Sequence, residues 1–216
     1  MRNLFTALTL FFIASTLIFA QNTNKLFFPE TPITWLGVDY SHMKIIGDFS
    51  QFAGNGTLTE RDIKDKYFKS WNNLFIRESE KYDIKGMLDK TSISNDIDMI
   101  REVNQATDPS QMVSKLVPGY TSDQITSFVQ SYNWDKVDNK KGVGVLFIAE
   151  AYDKVGLAGY YWFVAVDLET GKILLKDRLI GKPGGFGIRN YWAGSFYRII
   201  KDIDRRHYKT WIKSNS

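Results

Sequence analysis

There is no cysteine among the 216 residues. No disulfide can staple the fold, so the core must stabilise it unaided. Thiolate nucleophiles and cysteine-ligated metals are excluded as well, and no lipid-modified cysteine can follow an N-terminal leader. Histidine is nearly absent, with only His42 and His207. A metal site needs three or four converging ligands. A serine hydrolase needs a histidine positioned beside a serine and a carboxylate. Ser41 next to His42 is not that geometry, and no Gly-x-Ser-x-Gly elbow occurs. No catalytic set, metal or cofactor is therefore expected. Internal repeats, low-complexity tracts and linkers long enough to divide the chain are also missing. Neither sign of charge dominates: 28 basic residues face 24 acidic ones, for a net charge of +4. That balance gives no reason to expect a nucleic-acid partner.

One apolar run stands at the N-terminus. Met1-Arg2-Asn3 is a short basic lead, residues 4–20 are apolar or small, and Gln21-Asn22-Thr23-Asn24-Lys25 turns abruptly polar. This pattern predicts a secretory signal peptide over residues 1–20, cut after Ala20. The run sits at the short end of the roughly 17–25 residues a membrane span needs, so an uncleaved anchor is the competing reading. With cleavage, residues 21–216 form one exported domain, periplasmic or secreted, without a stable transmembrane segment. Its 44% hydrophobic residues suffice for a single sizeable core.

The chain is organised around residues 142–203. Val143, Val145, Phe147 and Ala149 alternate with Gly144, Leu146, Ile148 and Glu150, which predicts a strand buried on both faces over most of its length. Residues 160–167 (YYWFVAVD) are aromatic and β-branched, as strands are. Leu168-Glu169-Thr170-Gly171 supplies a turn, and residues 172–179 return as a strand with one wet face near a sheet edge. After a glycine-rich corner, Asn190 is a candidate cap for a helix from about Tyr191 to Arg206, with Trp192, Phe196, Ile199, Ile200 and Ile203 on one stripe. Upstream, residues 34–40 and 43–49 read as early strands. Thr59-Glu60-Arg61-Asp62 opens a helix, Ser94 or Asn95 can cap another, and Thr121 to Gln124 forms a capping box. The expected class is α+β or mixed α/β, with one mixed sheet carrying a late β-hairpin and covered by helices, a C-terminal amphipathic helix among them.

The late hairpin, YYWFVAVDLETGKILLKDRLIG, and the helix after it resemble the small periplasmic α/β domains of the curli-secretion-channel and TolB-N-terminal-domain type. The resemblance covers about the last third of the chain and lies in pattern rather than in a motif. It implies a module in envelope assembly or protein–protein contact and brings no catalytic residues. The cysteine-borne lipid anchor frequent in that group is missing here.

The corner itself is a candidate ligand site. Gly184, Gly185 and Gly187 can expose backbone N–H groups to an anion, with Lys182 and Arg189 beside them. The alternative is a strand-to-helix turn too tight for bulky residues, since neither a P-loop nor a Rossmann spacing is present. Trp192, with Tyr191 and residues 160–162, can line a groove or belong to the core. Glu150 and Asp153 sit where the core strand leaves its apolar run. Two carboxylates at suitable separation could serve glycoside hydrolysis. The leading expectation is an exported, non-enzymatic binding or accessory module of the bacterial envelope that engages an envelope protein or a small ligand. A hydrolase using Glu150 and Asp153, or the corner at 182–190, is the alternative.

Overall fold

A computed structural model describes residues 25–52 and 57–215. The expected signal peptide and its cleavage point lie outside the described residues. Six strands form one mixed sheet: β1 (Ile33–Asp39), β2 (Lys44–Ile46), β3 (Ile93–Asn95), β4 (Val143–Asp153), β5 (Ala158–Asp167) and β6 (Ile173–Gly181). The order across the sheet is β3-β1-β4-β5-β6, and β2 continues the line of β1 against the far end of β4. β3, β1, β2 and β4 run parallel, while β4, β5 and β6 form an antiparallel meander. The expected α+β class with a mixed sheet and late hairpin is what the chain adopts.

Four helices cover the sheet. α1 spans residues 60–77 as three joined pieces, Glu60–Asp62, a wider π turn Ile63–Phe68, and Lys69–Arg77. α2 is Asp98–Gln105 and α3 is Ser122–Gln130. α4 spans residues 187–214, again with a π turn at Ile203–His207. The capping boxes at Thr59 and Thr121 are both closed: each side chain accepts from the backbone three residues on, and the residue there reaches back. Two caps differ from the sequence reading. Ser94 and Asn95 belong to β3, and α2 starts without a side-chain cap at Ile97. Asn190 lies inside α4, which begins at Gly187 after an uncapped Phe186, because Gly187 takes a φ of +74° that lets the chain turn into the helix earlier.

The alternation in β4 sorts the core into two layers. Val143, Val145, Phe147 and Ala149 face α1 and α4. Leu146 and Ile148 face α2 and α3. The first layer is unusually aromatic. Trp192 stacks between Phe49 (5.5 Å, 11°) and Tyr152 (4.4 Å, 4°), and Trp71 meets Tyr152 edge-on at 5.3 Å. Pairs of this kind add about 0.5–1.5 kcal/mol beyond the area they bury. Among the described residues no helix is long and apolar enough to cross a membrane.

One irregularity shapes the β3 side of the sheet. β1 carries an extra residue, Leu36, between Trp35 paired to Val145 and Gly37 paired to Leu146. Gly37 sits at φ +104°, and a Cβ there would meet the Asn72 Oδ1 at 3.1 Å. Glycine thus serves both the kink and the close approach of α1.

Candidate functional site: the β3 edge of the sheet

β3 is three residues long, so it covers only Ile33, Thr34 and Trp35 of β1. Beyond the bulge the outer side of β1 has no strand partner among the described residues. Buried backbone groups left there need other partners. Two asparagines provide them. Asn72 on α1 accepts from the Val38 N–H (2.7 Å) and donates to the Val38 carbonyl (2.9 Å). Asn104 on α2 donates to the same carbonyl (2.9 Å) and accepts from the Tyr40 N–H (2.6 Å). Both side chains are almost fully buried, at 4% and 5% exposure. Two helices on opposite faces of the sheet thus close its edge with amides in place of a strand.

Three hollows follow one another along this edge. A pocket of about 140 Å³ lies between α1 and α2, with Asn72, Asn104, Phe68 and Ile97 in its lining and Lys64, Lys69 and Arg101 around it. It shares Asn73, Ile97 and Arg101 with a hollow of about 440 Å³ running past Ser94, Asn95, Asp96 and Asp138. That hollow shares Ile76 and Asn95 with a third, of about 390 Å³, beside Trp35, Tyr82 and Ile93 on the α1 side of the sheet. The edge of β3 therefore stands between two grooves. The Asp96 N–H donates to the Trp35 carbonyl at 2.9 Å, so even-numbered residues here point toward β1. Successive residues of a strand alternate in direction, so the N–H and C=O groups of Ile93 and Asn95 face outward.

The residues singled out from sequence lie elsewhere. Lys182, Gly184, Gly185, Gly187 and Arg189 follow β6, at the opposite edge of the sheet. Their corner is tied down by backbone contacts. The Gly184 N–H donates to the Tyr191 carbonyl at 2.9 Å, and a Cβ on Gly194 would lie 2.1 Å from the Gly184 carbonyl oxygen. The Arg189 carbonyl accepts from the Trp71 indole at 2.9 Å. Lys182, Gly184, Gly185, Gly187 and Arg189 are exposed, and Phe186 projects into solvent at 95% exposure. Trp192 is separated from them in the core, at 0% exposure.

Glu150 forms a bulge in β4, opposite the step between Tyr161 and Tyr160, and is fully buried. It accepts from the Gly119 N–H (2.7 Å), the Tyr120 N–H (3.3 Å) and the Arg178 guanidinium (2.6 and 3.1 Å). Asp153 accepts from the Val155 and Gly156 N–H groups in the β4–β5 turn. Both carboxylates hold backbone in place, and neither shares a metal cluster among the described residues. His42 stacks flat on Phe128 at 3.5 Å, and burial lowers its pKa. His207 lies 3.5 Å from Asp177.

The sequence did carry a signal for the edge. Asn72 falls four residues after Phe68 and three before Phe75, on the buried stripe of α1. Asn104 likewise follows Ile97 and Ile100 on the stripe of α2. An amide in an apolar stripe needs buried partners, and the glycine in mid-strand at 37 indicates where they are.

No protein-family model matches the chain, and no curated protein is significantly similar to it. Among solved structures, a protein described as a neuraminyllactose-binding hemagglutinin homolog from Helicobacter pylori aligns over 86% of this chain and 90% of its own, at 11% identity and a TM-score of 0.33. A likeness so slight carries no argument about fold or function.

Proposed function

We propose that this protein is a binding module that captures an extended segment of a partner protein along the β3 edge. The observation that carries the reading is the short, uncharged edge strand standing between two grooves, with the backbone of Ile93 and Asn95 directed outward. An extended peptide can add to such an edge by main-chain hydrogen bonds, while its alternate side chains enter the flanking hollows. The setting belongs to the proposal too: an exported envelope protein whose partner is met outside the cytoplasm. N-terminal sequencing of the secreted product tests that part, with a start at Gln21 expected and a retained leader pointing to a tethered form.

Peptide capture is tested by panning a random octapeptide library against the protein and following amide hydrogen exchange with a selected peptide bound. Protection should appear at Ile93 and Asn95. Asn95→Pro removes an outward N–H and should abolish binding while the circular dichroism spectrum is unchanged. Peptides that bind without protecting these amides, or that bind the proline variant equally well, would refute edge capture. So would a protein that pairs only with itself through this edge.

A further inference from the structure

The three hollows differ in charge, and the difference has a direction. Along β3 the lining carries Asp96, Asp98 and Asp138 against the single cation Arg101, and the hollow on the other face adds Glu80 and Asp83 against Lys85. This is an acidic stretch on a chain of net charge +4. At the α1–α2 end the sign reverses. There Lys64, Lys69 and Arg101 stand against Asp65 alone. Lys64 is 3.7 Å from Asp65, and Arg101 is ion-paired with Asp98, but Lys69 has no ion pair among the described residues. The lining also holds unused donors. A primary amide has two N–H groups, and Asn72 and Asn104 each direct one to the Val38 carbonyl, which leaves one apiece.

The order of these features follows the strands. β1 and β3 run parallel. The acidic stretch lies beside Thr34 and residues 94–96, and the cationic pocket lies beside Val38, farther along in the same sense. A segment that pairs parallel to β3 therefore passes the aspartates first and arrives at the lysines last.

We infer that the captured segment runs parallel to β3 and ends in the α1–α2 pocket as a free C-terminal carboxylate, with Lys or Arg side chains in its preceding residues. This deepens the edge-capture reading and rests on it. A pocket of about 140 Å³ has room for a carboxylate and a small terminal side chain, since a water molecule occupies about 30 Å³ in the liquid. The spare amide N–H groups and Lys69 are suited to a planar anion, because hydrogen bonds to an ionised acceptor are about twice as strong as neutral ones. The aspartates set the register by attracting the cationic residues upstream and repelling a reversed segment, whose carboxylate would lie among them.

The test uses paired octapeptide libraries, one with free carboxyl termini and one amidated. Selected sequences should come from the free-acid library and be enriched in Lys and Arg. Amidating a selected peptide should weaken it at least tenfold. The variant Lys69→Ala, which removes the cation that lines only the α1–α2 pocket, should weaken the free acid severalfold and leave the amidated peptide unchanged. Binders that tolerate amidation, yet still protect Ile93 and Asn95 from exchange, would overturn the carboxylate pocket and leave edge capture standing. Selection of acidic sequences would overturn the charge argument. If neither library yields a binder, both readings fall together.

Discussion

The two edges of the sheet solve the same problem differently. Any edge strand exposes unpaired N–H and C=O groups that invite another chain. β6 is nine residues long and guards itself with charge. Lys176 reaches α3 at the Ser122 carbonyl (2.7 Å) and the Thr126 hydroxyl, Asp177 accepts from the Trp211 indole of α4 (2.8 Å), and Arg178 is held by Glu150. β3 is short and carries Ile93, Ser94 and Asn95, with no charge on it. One edge is locked to the helices on both faces of the sheet. Among the described residues the other is closed only where Asn72 and Asn104 reach it. Long edges are protected by what sits on them, and a short edge is protected mainly by its length, which leaves it open to a guest.

The contrast can be broken from the locked side first. Tyr161 donates to Tyr152 at 2.8 Å and lies 2.9 Å from the Ser195 hydroxyl beneath α4, and burial raises the pKa of both phenols. The unfolded phenols lose their protons near pH 10, while the folded ones keep them to higher pH. In that window the native state binds more protons, so this stability is complete below about pH 10 and lost as pH rises beyond it. Lys90, lowered to about 8 by burial, works in the opposite sense from about 8 to 10.4. Urea unfolding from pH 8 to 11 should show a steep net loss above about 10, shallower in the Tyr152→Phe Tyr161→Phe variant; equal slopes would contradict the account. Trp211→Ala removes the ring stacked on Phe163 at 4.7 Å and frees Asp177. It should cost about 4 kcal/mol in urea unfolding and raise the self-association seen in sedimentation. Glu150→Ala leaves two backbone donors and Arg178 without their acceptor and should cost about 3 kcal/mol.

On the open side the effects are smaller. Asn72→Ala orphans the Val38 N–H and should cost about 2 kcal/mol, with faster exchange of that amide as a local readout. Phe186→Ser should change stability by less than about 0.5 kcal/mol, because the ring touches solvent. A large loss there would mean that the glycine-rich corner does more than turn the chain.

Much of the architecture was legible from residue order. The two-faced burial of β4, the hairpin to β6 and both capping boxes follow from local patterns that tertiary contacts reinforce. The exact start of α4 was not, because Gly187 offers a turn that Asn190 has no need to cap. The apolar phase of β6 was also obscured: Leu174 is buried while Ile173 and Leu175 are only partly so, since the pairing skips a residue between Val166 opposite Ile173 and Ala165 opposite Leu175. The candidate site was the least visible part. It is assembled from an edge, two helices and a missing strand, which are 34 and 66 residues apart in the chain at the shared carbonyl. The glycine-rich corner is the more conspicuous feature of the sequence because its residues are contiguous.

The Val38 carbonyl has a mechanical consequence. It is one oxygen gripped from above and below the sheet by α1 and α2. Neither helix can slide along the strand without dragging a peptide unit that the other also holds. The gap between them is therefore gauged in advance, like jaws set on a common pin, and whatever enters meets walls that have little freedom left to lose.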